Sequence, residues 1–201
     1  MIIKVDDNIV LRQLMQSDSA EIFKTIDSQR EYLGKWLPFV EFTKSISDTI
    51  SYVDSVIKAP DEKFEFVFTI QKRNSFVNKG DKHSNIDNDP FQEYFEFAGL
   101  IGFKDTDRQN KKTEIGYWLS HSYQKHGIIT KSVEKLCELA FGELSINRIQ
   151  IKCAVGNTAS SNIPKRLGFV FEGTEREGEL LTGGVFADLE VYSKLKNDKQ
   201  I

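Results

Sequence analysis

One stretch of the chain gathers the residue types of a binding and reaction site at close spacing. Glu114-Ile115-Gly116-Tyr117-Trp118-Leu119-Ser120 reads as a strand and His121-Ser122-Tyr123 as a polar loop. Gln124-Lys125-His126-Gly127-Ile128-Ile129-Thr130 then leads into a helix. The first turn of a helix presents N–H groups without intrahelical acceptors, at the positive end of the macrodipole, and so attracts anions. A glycine at position 127 lets the backbone approach a diphosphate, and the Gln124 and Lys125 side chains add donors. The alternative is that Gly127 only ends a loop, because the segment has neither the lysine-serine pair of a P-loop nor the three glycines of a dinucleotide fingerprint. His126 could help hold an anion when protonated or could face solvent, and His83 lies in a polar stretch and is read as uninvolved. Two cysteines, Cys137 and Cys153, and three scattered histidines make no zinc spacing, so no metal is expected.

The elements that must position this segment follow from periodicity. A first strand is expected over Asn8 to Leu11. A helix then starts on a capping-box-like Asp18 and Glu21, with Ile22, Phe23 and Ile26 on one face. Pro38 ends the aromatic stretch from Tyr32 to Phe39. A second helix is expected after Ser47, with Ile50, Val53, Val56 and Ile57 as its apolar stripe and Pro60 as its stop. Phe64, Phe66, Phe68 and Ile70 alternate as in a strand with one buried face. From Gln71 to Asp89 the chain is rich in Asn, Asp, Lys, Ser and Gly, which marks a polar insertion at about 71–92. Strands resume at Phe95 to Phe103 and at Glu114 to Leu119. Ile129, Val133, Leu136, Cys137, Ala140 and Leu144 then recur every three or four residues, the stripe of a helix from Gly127 to about Phe141. Cys137 falls on that stripe, so packing is its expected role. Ile149, Ile151, Cys153 and Val155 alternate as a strand. Asn157 can cap a short helix ending at Gly168, and strands follow at Phe169 to Thr174 and Phe186 to Leu195. The sum is a mixed α+β domain of about seven strands and four helices, spanning residues 8–196.

Composition narrows the function classes. The 201 residues carry 27 Lys+Arg and 30 Asp+Glu, a net charge of −3, and are 39% hydrophobic. A pI near 5.7 argues against nucleic acid as a partner, since neutralising phosphates requires a concentrated basic face. No run approaches the ~20 apolar residues of a membrane span. The start, Met1-Ile2-Ile3-Lys4-Val5-Asp6-Asp7, lacks the basic and apolar regions of a signal peptide, so the expected location is the cytoplasm.

Gln124-Lys125-His126-Gly127-Ile128-Ile129 resembles the (Arg/Gln)-x-x-Gly-x-(Gly/Ala) signature of the GNAT N-acetyltransferases, with Ile129 in place of the last small residue. The surroundings resemble the branch of ribosomal-protein Ser/Ala N-terminal acetyltransferases, the Rim-type enzymes. Leu11-Arg12, Arg30 to Pro38, Glu114 to Leu119, Tyr123 to Ile128, and Asn157 with Leu167-Gly168-Phe169 match five of its motifs in order. The resemblance implies a mostly antiparallel, mixed sheet in which the strand of Trp118 and Leu119 diverges from that of Cys153 and Val155, leaving a V-shaped cleft. It further implies acetyl-CoA, with the pantetheine arm along Trp118, Leu119 and Ser120 and the diphosphate on Gln124, Lys125, His126, Gly127, Ile128 and Ile129. Thr130 adds a hydroxyl there, and Asn157 bonds the pantetheine or acetyl region in addition to its cap.

In catalysis the resemblance implies Glu114 as general base, with an amine-binding charge as the alternative, and the Leu119 N–H as oxyanion donor. The tyrosine that many GNAT enzymes use as acid would stand at Pro164. The branch suggests Ser160 in its place, a poor acid by pKa and better suited to hydrogen-bonding the leaving thiolate. Cys153 would lie close to the acetyl site, which makes it the thiol worth testing, and Trp36 and Phe39 would cap the acceptor side. The expected acceptor is a primary amine, either a protein N-terminal Ser or Ala or a small amine, handled by a monomer or homodimer. The alternative from another class is an acyl-CoA-binding sensor or interaction module without turnover.

Overall fold

The computed structural model describes residues 1–59, 66–74 and 94–198. Among them are eight strands in one sheet, ordered β1-β2-β3-β4-β5-β6-β8-β7. They are β1 (Ile2–Lys4), β2 (Ile9–Gln13), β3 (Val67–Arg73), β4 (Phe95–Asp107), β5 (Lys112–Leu119), β6 (Arg148–Ala154), β7 (Val170–Leu181) and β8 (Val185–Leu195). Every neighbouring pair is antiparallel except β5 and β6, which run parallel through only three residue pairs, Lys112↔Arg148 to Glu114↔Gln150. Among the described residues six α-helices accompany the sheet: α1 (Ser19–Ser28), α2 (Arg30–Gly34), α3 (Phe39–Phe42), α4 (Ile46–Ile57), α5 (Ile128–Gly142) and α6 (Thr158–Arg166).

The helices cover the two faces separately. On one, Val133, Leu136 and Ala140 of α5 pack on Ile70, Ile101, Ile115 and Ile149 in the main core. On the other, Ile22 and Ile26 of α1, Leu33 of α2 and Val53 of α4 close over Leu100 and Trp118. The central strands are therefore buried on both sides, which is why Thr69 of β3 is as inaccessible as Phe68 and Ile70.

The sheet is larger than the seven strands expected. Ile2–Lys4 pairs with Val10–Arg12 of β2, so the sheet begins before residue 8. β3 continues through Gln71 to Arg73, with Gln71 buried opposite Phe97, so the first residues assigned to the insertion belong to the sheet. The rest of that insertion, with His83, lies outside the described residues, as do Pro60 and Phe64.

Two helix starts differ from expectation. Asp18 does not cap α1: its buried carboxylate takes the Arg12 guanidinium and the Met15 N–H at 2.7 Å. A carboxylate buried at 4% exposure needs a cation more than a helix needs a cap. α4 starts earlier, at Ile46, because the Asp48 carboxylate accepts the Ser45 N–H at 2.8 Å and closes a capping turn there. Its inward face is Thr49 and Val53 with Val56 alongside, while Ile50 and Ile57 point outward.

Candidate active site

The short β5–β6 pairing creates the site. Past Glu114 and Gln150 the two strands separate, β5 staying with β4 to Leu119 and β6 staying with β8 to Ala154. This is the V-shaped gap that the resemblance implied. Backbone alternation decides what faces it. The Ser120 N–H bonds the Ala98 carbonyl at 2.8 Å, and the β4–β5 register is unbroken from Glu114 to Leu119, so even-numbered residues bond to β4. The odd-numbered backbone groups of Tyr117 and Leu119 therefore point into the gap. Ser120 itself is buried, its hydroxyl held by Gln29 Nε2 at 2.9 Å.

At the end of β5 a 3₁₀ turn, His121–Tyr123, leads to Gly127, which stands at the N-cap of α5 with φ 71°. A Cβ there would meet nothing within 4 Å, so it is the backbone conformation, not crowding, that calls for glycine. Gly127 offers no side-chain cap, and the N–H groups of the first turn of α5 have no intrahelical acceptor. Ile128 and Ile129 bury their side chains in the core and offer only backbone. Thr130 is partly buried in the same turn, while Lys125 and His126 are exposed, with His126 Nδ1 3.3 Å from the Tyr123 carbonyl. Gln124 is directed elsewhere: its amide donates to Tyr32 Oη, which in turn donates to the Leu119 carbonyl at 3.3 Å. Gln29 adds a second tie by accepting the His121 N–H at 2.9 Å. Tyr32 and Gln29 thus link the α1–α2 side to the loop, a pairing across some 90 positions that local patterns do not reveal.

Across the gap, the Asn157 side chain accepts the Ser160 N–H at 3.3 Å and caps α6, as its residue type suggested. Ser160 Oγ lies 3.3 Å from Cys153 Sγ and donates to Tyr117 Oη at 3.2 Å. Burial pushes the Cys153 thiol up to about 11, and it also holds the Tyr117 phenol far above its usual range. Pro164 is buried inside α6 and offers no proton. Tyr117 escaped the sequence reading as a site residue, although its alternation with Ile115 and Leu119 already set it on the α5–α6 face.

A pocket of about 360 Å³ opens on the opposite face, under α1, α3 and α4. Ile22, Ile26, Leu37 and Phe39 form its apolar wall, and Lys104 and Glu179 give it a charged end. Glu114 stands behind that end, buried, with Oε1 2.8 Å from Lys104 Nζ and Oε2 accepting from Gln150 Nε2 at 3.4 Å. Burial works against the Lys104 charge, yet Glu114 outweighs it and holds the lysine cationic. Glu179, from β7, has its carboxyl raised by burial; the Lys104 charge opposes the shift and the nearby Glu114 adds to it. It lies 65 positions from Glu114 and sits in a hairpin full of acids, so no local signal distinguished it. The Trp36 ring comes within 3.7 Å of where a Gly156 Cβ would be, just past the end of β6.

This arrangement fits acetyl-CoA: an uncapped helix start for the diphosphate, an open strand edge for an extended arm, and a hydroxyl beside the gap. Among the described residues no three His, Cys, Asp or Glu side chains cluster to hold a metal, and no helix is long and apolar enough to cross a membrane.

Residues 8–170 match the family model described as an acetyltransferase (GNAT) domain. The putative ribosomal N-acetyltransferase YdaF of Bacillus subtilis is 34% identical over 195 residues, covering 97% of this chain and 95% of the relative. The ribosomal-protein-serine acetyltransferase of Escherichia coli is 25% identical over 193 residues, with 96% of each chain covered. Among solved structures, the microcin C7 self-immunity acetyltransferase MccE in complex with acetyl-CoA and AMP superposes with a TM-score of 0.80 at 27% identity, over 96% of this chain and 95% of that one. The ribosomal L7/L12 N-acetyltransferase RimL with coenzyme A shares the fold, with a TM-score of 0.81 at 24% identity over 97% and 98%. These relatives support a working enzyme and not the sensor alternative. With its motifs, its divergent strands and a family match over most of its length, the chain belongs to the GNAT family of acetyltransferases, on the Rim-type branch, and is an acyltransferase that uses acetyl-CoA.

Proposed function

We propose that this enzyme acetylates the N-terminal amine of a protein, in keeping with the ribosomal acetyltransferases it resembles. The observation that carries the reading is the two-sided site. The helix start and open β5 edge suit the donor, and on the other face an apolar pocket ends in Glu179 and Lys104 beside Glu114. A peptide N-terminus presents an ammonium next to side chains and a backbone that such a wall can cover. A polyamine would place further charges against Ile22 and Phe39.

Bound acetyl-CoA supplies an activated acyl group on a thiol leaving group. Toward it, Gly127 to Thr130 offer backbone N–H groups to the diphosphate, Lys125 and His126 add exposed donors, and Asn157 and Ser120 flank the arm. Gln124 would have to leave Tyr32 to join them. The Leu119 N–H points into the gap and is the oxyanion donor. Of the two carboxylates, Glu114 is the one that the motif marks as base, but Lys104 already occupies it. Glu179 lines the pocket with a raised pKa, the environment that suits a proton acceptor, so the acceptor ammonium loses its proton to Glu179 while Glu114 and Lys104 fix the local field.

The test is thiol release from acetyl-CoA with peptides starting in Ser or Ala, N-terminally blocked peptides containing Lys, a polyamine and an amino sugar. Mass spectrometry then locates the added acetyl group. Acetyl on the α-amine of free N-termini is expected, and turnover confined to the small amines would overturn the protein acceptor.

A further inference from the structure

The Ser160 hydroxyl is not left to find its own orientation. Three side chains from three elements meet beside the gap: Tyr117 of β5, Cys153 of β6 and Ser160 of α6. Ser160 Oγ donates to Tyr117 Oη at 3.2 Å, and Tyr117 Oη donates to the Ser160 carbonyl, also at 3.2 Å. The phenol therefore reaches two oxygens of the same residue at equal distance. Turning its O–H moves the phenolic proton from the Ser160 carbonyl to Ser160 Oγ without moving a heavy atom. That turn releases the serine proton, which in the resting arrangement points at Tyr117 and is unavailable to anything in the gap.

We infer that Tyr117 is a positioning residue for the leaving thiolate: its phenol fixes the Ser160 hydroxyl and, by turning its own proton onto Ser160 Oγ, lets the serine donate to the sulfur of CoA. This rests on the reading of the gap as the acetyl-CoA site. No proton changes owner. Tyr117 and Cys153 are held protonated by burial, so the phenol and the serine act as two hydrogen-bond donors in series, ending on the sulfur anion. A donor chain ending on a charge is polarised along its length and stronger than a lone hydroxyl. The arrangement also gives Ser160 a way to serve the thiolate without being an acid.

The experiment reads the thiol of bound CoA, without turnover. Saturated enzyme–CoA complex is titrated with pH while thiolate absorbance is followed in the ultraviolet. Burial pushes the protein's own thiols above the usual cysteine range, Cys153 up to about 11 and Cys137 up to about 12, and each variant titrated without CoA gives the protein contribution to subtract. In the wild type the bound thiol is expected to ionise below free CoA. Y117F should raise that pKa by about one unit, a roughly tenfold loss of thiolate at fixed pH. S160A should raise it at least as far, and Y117F added to S160A should raise it no further. In steady state Y117F should lower kcat and leave KM for acetyl-CoA unchanged. If Y117F folds poorly, difluorotyrosine at position 117 keeps the shape with a stronger donor and should lower the bound-thiol pKa. A Y117F or fluorotyrosine enzyme that binds CoA and titrates like the wild type overturns the inference about Tyr117. A wild type that fails to bind CoA overturns the donor-site reading beneath it.

Discussion

Gly127 offers the sharpest test of the anion cradle, because the structure separates two reasons for a glycine. Its φ of 71° is left-handed, and a Cβ there meets nothing within 4 Å. Alanine should therefore cost only the conformational penalty, about 1–2 kcal/mol. For a domain of this size that is a fall in Tm of roughly 2–8 °C, at about 2–4 °C per kcal/mol. CoA affinity should hardly change. Asparagine, which tolerates this conformation, should keep both stability and affinity close to wild type. Aspartate has the same shape as asparagine but sets a carboxylate beside the diphosphate. Two unit charges about 4 Å apart at an effective dielectric near 20 repel by about 4 kcal/mol, a loss of up to roughly a thousandfold in affinity. The loss should shrink as salt is added. Calorimetric titration with CoA, with melting curves of the same four proteins, checks this. Equal CoA affinity for the Asp and Asn variants would remove the α5 start from the binding site. A large loss of affinity in the Ala variant at unchanged Tm would mean that the space around Gly127 is needed by the ligand itself.

The two carboxylates of the pocket separate by pH. Glu179→Gln should lower kcat about a hundredfold or more and abolish the acid limb of the pH–rate profile, which is expected above the ordinary glutamate range because burial raises that carboxyl. Glu114→Gln should instead release Lys104 and chiefly raise KM for the acceptor; a lost acid limb in this variant and a retained one in Glu179→Gln would exchange the two roles. Away from the site, Glu172 is held at about 2 by Arg148 and Ser193. A depressed folded-state value gives stability above the unfolded glutamate pKa that is lost as pH falls through about 2. Glu172→Gln should cost about 1 kcal/mol at neutral pH after solvent screening and nothing near pH 2, read as a difference in Tm that closes on acidification.

What could be read from the chain alone was what short-range physics determines. The change from a period of two to a period of 3.6 around Gly127 located β5, the loop and α5, and the residue type of Asn157 located the α6 cap. Where a residue answers to a distant partner, the reading failed. Asp18 looked like a cap because its partner, Arg12, comes from the sheet. Ile50 and Ile57 looked like core, although Thr49 and Val53 hold the inward face of α4. In the site, the strand motif located β5 but not which of its backbone groups face the gap, those of Leu119 and not of Trp118, and it gave no hint that Gln124 would be tied to Tyr32 or that Glu179 would arrive from the β7–β8 hairpin. These meetings depend on how the sheet is ordered, which no local window contains.

The three-residue contact between β5 and β6 has a consequence outside catalysis. Most sheets keep their raw edges at the rim; here two of them lie in the middle. A ligand that adds itself between them is a structural member as well as a reactant, and by mass action it holds the two halves of the sheet together. The stability of the fold would then rise with the concentration of its acyl donor, so that the substrate sets how firmly the sheet holds together.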